Sequence, residues 1–398
     1  MRVTQALNQA QFLAEIHTLE SNLSQTQSQI TSNQSFTTAS QNPTAAGSVN
    51  NYNQALSQSK QYVTNSNSAQ TRLSTEDSTL SQVQSQLQSL RDLALEANNS
   101  SLSAQDRSAI ATQATQIQAS LVGLANTQDG NGEYLFGGFS SQTQPFTQTA
   151  GGATYNGDQG QRQVQIAAGQ TVADGDSGYA VFNQIPTGNG TFAAAPAAAN
   201  TGTGVLGATT VSPAAGAYDG GTYSINFTAP GTYEVRDSAN ALVTSGTYTD
   251  GNSISFRGVQ VTLNGQPAAG DSFSVAPSTN QSMFATVQNI VSALQVGGST
   301  SQATAQLNNA MAIGLNNIDQ ALSSLSNVRA SVGARLNSIT TQQSVAGTQQ
   351  IQLQSSISSL QSLDYASAIT TLDQQNTTLS AALQAYTITQ GLSLFKYL

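Results

Sequence analysis

The chain has 398 residues, room for two or three domains. Only 8% of them are charged, far below the usual roughly one quarter, and the net charge is −9 with no basic stripe, which argues against nucleic-acid binding. Cysteine is absent, which excludes disulfides, thiolate metal sites and thiol nucleophiles. The opening Met1-Arg2-Val3 leads into polar sequence with no apolar h-region, and no run reaches membrane-spanning length. Membrane insertion is therefore not expected, and export would proceed without a cleaved signal.

A first helix is predicted from Leu7, Phe12, Ile16, Leu19, Leu23 and Ile30, spaced mostly by three, four or seven. Pro43 and Gly47 predict a loop over 33–47. A second helix carries Leu56, Val63, Leu73, Leu80, Val83, Leu87 and Leu90, with a heptad rhythm from Leu80 onward. After Asn98-Asn99-Ser100 a third helix repeats that rhythm through Ile110, Ala114, Ile117, Leu121 and Leu124. The short connection makes these two an antiparallel pair.

The pattern then changes. Between Asp129 and Phe139 four glycines surround Tyr134, Leu135 and Phe136. From 150 to 280 the sequence is rich in Gly, Ala, Thr and Pro, with period-two patches at Tyr223-Ile225-Phe227, Tyr233-Val235, Ile254-Phe256, Val259-Val261-Leu263 and Phe273-Val275. Turns fall at Pro230-Gly231, Asn264-Gly265 and Gly270-Asp271. The stretch 186–216 reads as a loose loop. Helical spacing returns at Phe284, Val287, Val291 and Leu294, again from Met311 to Ile339, and finally from Ile357 through Leu372, Leu379, Leu383 and Tyr386 to Leu392, Phe395 and Leu398. The order is helices, β insert, helices.

Chemical motifs are few. Asp129-Gly-Asn131-Gly-Glu133 opens like a calcium loop, but Tyr134 stands where a glycine is required and no closing Glu follows. Turn formation by Asp-Gly and Asn-Gly explains the stretch better, with Tyr134, Leu135 and Phe136 plugging the helix pair's open end. Gly202, Gly204 and Gly207 match a dinucleotide fingerprint without the strand before it or the helix after it. His17 is the only histidine and reads as a helix residue rather than a base or ligand. No nucleophile elbow occurs. No catalytic, cofactor or metal residue is assigned.

Together, "MRVTQ" at the start, "SQNPTAAGSV" at 40–49, "LRDLALEANN" at 90–99, "LANTQDGNGEYLFGGF" at 124–139, "GDSFSVAP" at 270–277 and the terminal "LSLFKYL" resemble the flagellar hook-associated protein 3 family, flagellin-like proteins of the hook–filament junction. Gln41-Asn42 departs from the acidic pair often seen there, and most of 147–260 resembles nothing placed. The resemblance implies a mainly α, flagellin-like helical rod with an inserted β domain: a terminal coiled-coil domain from 1–42 and 350–398, a helical bundle from 43–148 and 281–349, and a β-rich outer domain at 149–280. It implies a structural junction protein exported unfolded by the flagellar type III apparatus. Its partners would be copies of itself in a ring, hook-associated protein 1, flagellin and an export chaperone.

Leu7, Leu19, Leu23, Leu379, Leu383, Leu392, Phe395 and Leu398 are the expected assembly residues. Asp129, Gly130, Gly132, Tyr134, Leu135, Phe136, Gly137 and Gly138 are the expected domain joint. The terminal helices are expected to order only in an assembly, because their apolar stripes exceed what one partner covers. The alternatives are a flagellin filament subunit, a sugar-binding or enzymatic domain displayed on a rod and, more distantly, a phage-tail or secretion-tip protein.

Overall fold

The computed structural model describes residues 2–99, 102–212, 216–296 and 300–391. Six α-helices enclose a run of fourteen short strands, in the order α1 (Arg2–Ser32), α2 (Pro43–Ala97), α3 (Ala104–Ala125), β1 (Phe146–Thr149), β2 (Gly152–Tyr155), β3 (Gln163–Ala167), β4 (Gln170–Ala173), a π-helical turn (Tyr179–Asn183), β5 (Ile185–Pro186), β6 (Phe192–Pro196), β7 (Val205–Val211), β8 (Tyr223–Ala229), β9 (Thr232–Asp237), β10 (Leu242–Thr247), β11 (Ser253–Phe256), β12 (Val259–Asn264), β13 (Ser272–Pro277), β14 (Asn280–Gln281), α4 (Met283–Gln295), α5 (Ser301–Gln361) and α6 (Tyr365–Gly391). The expected class, mainly α with an inserted β region, is what the chain adopts. It divides into two compact units, Met1–Thr64 with Gln342–Leu398 and Asn65–Thr341.

In the terminal unit α1 and α6 run antiparallel. Phe12 packs on Tyr386 with ring centroids 6.2 Å apart, and Gln34 bridges to Ser362 near the other end. Asn33 takes a left-handed φ of 52°, which ends α1. The loop that follows is shorter than the predicted 33–47. Pro43 is the first residue of α2, where its missing N–H costs nothing, and the Asn42 side chain accepts from the Ala45 N–H at 3.0 Å. Gly47 lies inside the helix. Phe36, Ala45, Val49 and Leu56 bury against Ile357 of α5.

The larger unit holds three cores. One joins the seams of α2 (Leu80, Val83, Leu87, Leu90), α3 (Ile110, Ala114, Leu121), α4 and α5. A small one places Ala69 and Leu73 of α2 and Val332 and Ile339 of α5 against Ile166 and Val172 of the β3–β4 hairpin. The third lies between a five-stranded sheet, order β10-β9-β8-β13-β6, and a three-stranded sheet, order β11-β12-β7. Alternation is clear along β8, where Tyr223, Ile225 and Phe227 are buried, and along β12, where Val259, Val261 and Leu263 are buried. Gly231, Gly265 and Gly270 turn the chain with positive φ.

Two features differ from the sequence reading. Over its described residues the stretch 186–216 is not a loose loop. It supplies β6, paired with β13, and β7, paired with β12. "FAAAP" and "VLGATTV" have weak strand character alone and become strands because partner edges receive them. In addition, the segment 146–187 shares its core with the helices. Phe146, Val181, Phe182 and Ile185 are buried with Phe136 and Phe284. The sandwich proper joins the helices through a neck in which β5 pairs with β14 and the Thr187 N–H donates to the Thr279 carbonyl, and it also docks on α5, where the Asn309 side chain accepts the Leu206 N–H at 2.7 Å and donates to the Gly204 carbonyl at 2.9 Å.

Candidate functional site

The glycine–aromatic stretch after α3 is held by one arginine. Arg72 of α2 is buried, and its guanidinium reaches Asp129 at 2.6 Å while donating to the carbonyls of Tyr134 at 3.0 Å and Leu135 at 3.3 Å. Asp129 folds the turn beneath it, because its other oxygen accepts from the N–H groups of Asn131 and Glu133. Burial pushes the Asp129 carboxyl up, but those N–H groups and Arg72 together hold it below its usual value. Both carboxylate oxygens are thus committed within the protein. Among the described residues no group of three or more acidic, His or Cys side chains could hold a metal ion.

The expected joint residues divide by role. Gly132 has φ +80° and makes the turn, and Gly130 has open space around it. Leu135 and Phe136 are buried in the helical core, whereas Tyr134 is half-buried and contributes its backbone carbonyl. Gly137 and Gly138 are needed for close approach. A Cβ on Gly137 would meet the Ser140 carbonyl oxygen at 2.9 Å, and one on Gly138, at φ +70°, would meet the Asp158 carbonyl oxygen at 2.5 Å.

Around this clamp lies a polar network that the sequence reading did not single out. Arg162 bridges Glu133 at 3.2 Å and Asp174 at 2.7 Å, and Arg335 of α5 pairs with Asp176. Glu76 of α2 is 1% exposed and accepts the Asp176 N–H at 3.2 Å. Of 31 acidic and basic residues in the chain, these pairs bring together eight: Arg72, Glu76, Asp129, Glu133, Arg162, Asp174, Asp176 and Arg335. One signal for it was legible. Glu76 occupies a seam position in the series Leu73, Glu76, Leu80, Val83, Leu87, Leu90, where an apolar residue belongs.

Burial, reinforced by the neighbouring Asp176 carboxylate, pushes the Glu76 carboxyl well above its ordinary 4.5, against the opposing pull of Arg335 and the Asp176 N–H. Folding therefore takes up a proton there. A raised folded value means Glu76 costs nothing below its unfolded value. The cost grows as pH rises from about 4.5 towards the folded value and is constant beyond it. Glu76→Gln is expected to match the parent near pH 4 and to exceed it once pH rises above about 4.5, measured as the difference between paired urea titrations. A glutamine variant less stable than the parent at pH 8 would mean that the ionised carboxylate is held by its arginine neighbours.

The expected assembly residues fall into three groups. Leu19, Leu23 and Leu379 lie half-buried in the α1–α6 seam, beside half-buried Phe12 and Ile30 and buried Ile16 on one side and half-buried Leu372, Ala382 and Tyr386 on the other. Leu7, 59% exposed, and Leu383, 44% exposed, point away from it. Leu392, Phe395 and Leu398 lie outside the described residues. His17 is exposed on α1, 3.4 Å from Glu20. The dinucleotide-like glycines start no helix: Gly202 and Gly204 lie in a loop against the segment 266–271, and Gly207 is inside β7.

The likeness to known proteins follows the same layout. Residues 3–141 match the bacterial flagellin N-terminal helical region, residues 315–398 the bacterial flagellin C-terminal helical region, and residues 196–277 the D2-like domain of flagellar hook-associated protein 1. The FlgL of Xanthomonas campestris is 40% identical with a TM-score of 0.73, over 77% of this chain and 99% of that one. The chain belongs to the FlgL, or flagellar hook-associated protein 3, family. The flagellar junction protein FlgL of Legionella pneumophila is 32% identical, TM-score 0.67, over 73% of this chain and 98% of that one. Flagellar hook-associated protein 3 of Salmonella typhimurium is 38% identical over 89 residues, which span only 27% of its length. The match to the flagellin N-terminal helical region ends at residue 141, shortly after the stretch that Arg72 holds.

Proposed function

We propose that this FlgL-family chain is a structural junction subunit of the bacterial flagellum, joining the hook, through hook-associated protein 1, to the flagellin filament. It works by assembling with copies of itself and performs no chemistry. The observation that carries this reading is the likeness to FlgL over nearly the whole of that protein, at 40% identity. The terminal helices support it. Leu7, Leu13, Ile369, Leu383 and Ile388 remain between 40% and 64% exposed after α1 and α6 have packed. Ordering a residue costs about 1–2 kcal/mol of backbone entropy, and full burial of a leucine returns about 1.5–3 kcal/mol. Such helices gain most when neighbouring subunits cover them. Among the described residues no helix is long and apolar enough to cross a membrane.

A filament subunit would share the flagellin-like ends. The match of residues 196–277 to the D2-like domain of hook-associated protein 1 favours the junction instead. The test is a strain lacking this chain. It should carry hooks without filaments and shed flagellin into the medium, and the full chain should restore filaments. We further propose that the sandwich is dispensable for joining, because the chain enters and leaves it through the β5–β14 neck. A variant with residues 191–278 replaced by a short turn should also restore filaments. Normal filaments in the strain without the chain would overturn the junction role. Failure of the exported shortened variant alone would assign the sandwich to assembly.

A further inference from the structure

Asparagine precedes glycine at four places in the chain: 131, 156, 189 and 264. Such a link can react with itself. The glycine nitrogen attacks the side-chain carbonyl carbon of the asparagine, loses its proton and expels ammonia, and a five-membered succinimide forms. Water then opens the ring to aspartate, or to isoaspartate, in which the main chain runs through Cβ. The step needs a side chain free to swing onto the next nitrogen and a nitrogen able to release its proton. Three of the four links lack this freedom. The Asn156 amide donates to the Thr147 hydroxyl at 2.7 Å. Asn189 is held at both ends: its oxygen accepts the Thr191 and Phe192 N–H groups, and its nitrogen donates to the Thr209 carbonyl. Asn264 pairs with Val205 in the β12–β7 ladder, and its amide lies against Gly207. The Gly265 N–H also donates to the Asp250 carboxylate at 2.6 Å, a charge that opposes loss of that proton.

We propose that Asn131 is a modification site, where the chain converts itself, with water as the co-reactant, to aspartate or isoaspartate. Asn131 is exposed, and its side chain makes no hydrogen bond within the described residues. Gly132 has open space where a Cβ would stand, and its N–H donates only to the neutral Asp129 carbonyl, at 3.0 Å. The consequence falls on the joint. Isoaspartate adds one backbone atom between residues 131 and 132. Three turn bonds span that link: Gly132 N–H to the Asp129 carbonyl, Glu133 N–H to the Asp129 carboxylate, and Asp129 N–H to the Glu133 carbonyl. The product also places a new carboxylate beside Asp129 and Glu133, adding one negative charge to the net −9. The turn that presents Asp129 to Arg72 is thereby loosened, so the modification acts as a slow, irreversible switch on the clamp.

The test ages the purified full chain at pH 8.5 and assigns the mass gain of about 1 Da to individual asparagines by peptide fragmentation. Asn131 should convert at least tenfold faster than Asn156, Asn189 or Asn264. In urea, where the fold no longer restrains any of them, the four rates should converge. Conversion at another of the four as fast as at Asn131 in the folded chain, or a preference for Asn131 that persists in urea, would overturn the site. The aged chain should also unfold at a lower urea midpoint, whereas Asn131→Gln, which keeps an amide that closes such a ring far more slowly, should hold its midpoint through the same ageing. Full conversion at Asn131 with an unmoved midpoint would overturn the effect on the clamp.

Discussion

Arg72→Ala is expected to destabilise the 65–341 unit by about 3–5 kcal/mol, the cost of removing one partner from a buried ion pair. Arg72 is 7% exposed and Asp129 10% exposed, so neither reaches water easily. Without the guanidinium the Asp129 carboxylate keeps its two N–H donors but loses its counter-charge. The Tyr134 and Leu135 carbonyls lose a donor they share. Arg72→Lys should recover only part of the loss, because an ammonium cannot reach one carboxylate and two carbonyls from one plane. Urea unfolding at constant m reads the effect. A loss below about 1 kcal/mol would show that the glycine turns hold the loop without the clamp.

Phe182→Ala should cost a similar amount, about 3–5 kcal/mol, from lost burial and the cavity left behind. Phe182 is fully buried. Its ring meets Phe136 edge-on at 5.1 Å, Phe146 at 5.4 Å and Phe284 at 5.7 Å. These neighbours come from the joint, from β1 and from α4, so one cavity loosens three elements. The π-helical turn carrying Phe182 lies between the β hairpins and the neck, yet its core is helical. The loss should therefore appear in the helical signal of circular dichroism. Phe227→Ala, in the sandwich, provides the contrast and should leave that signal's transition in place. An unchanged helical transition with Phe182→Ala would detach the 146–187 segment from the helical core.

Much of the architecture was legible because period carries the information locally. A heptad rhythm such as Leu80-Val83-Leu87-Leu90 can bury one stripe only as a helix, and Tyr223-Ile225-Phe227 only as a strand. The turns at Gly132 and Gly138 were legible too, because glycine there announces backbone that other residues avoid. The seam partners of α1 and α6 were harder. Leu7 and Leu19 fit the same broad apolar stripe, and only the packed pair shows that Leu19 faces inward while Leu7 does not.

By itself, then, the sequence determined the helix–strand–helix order, the turns, the absence of thiol chemistry and the place where the helical pattern breaks. Those properties depend on spacing and residue type within a few turns of chain. Only the tertiary structure decided that β6 and β7 exist, that 146–187 packs with helices, and that Arg72, Glu76, Asp129, Asp176 and Arg335 meet. Each of these rests on partners distant in sequence. Alanines at 193–195 become a strand through β13, and Glu76 departs from ordinary carboxylate behaviour because the fold buries it and sets Asp176, a hundred residues on, beside it. Pairings at such range leave no period in the sequence, since burial and charge are set by what the fold brings alongside.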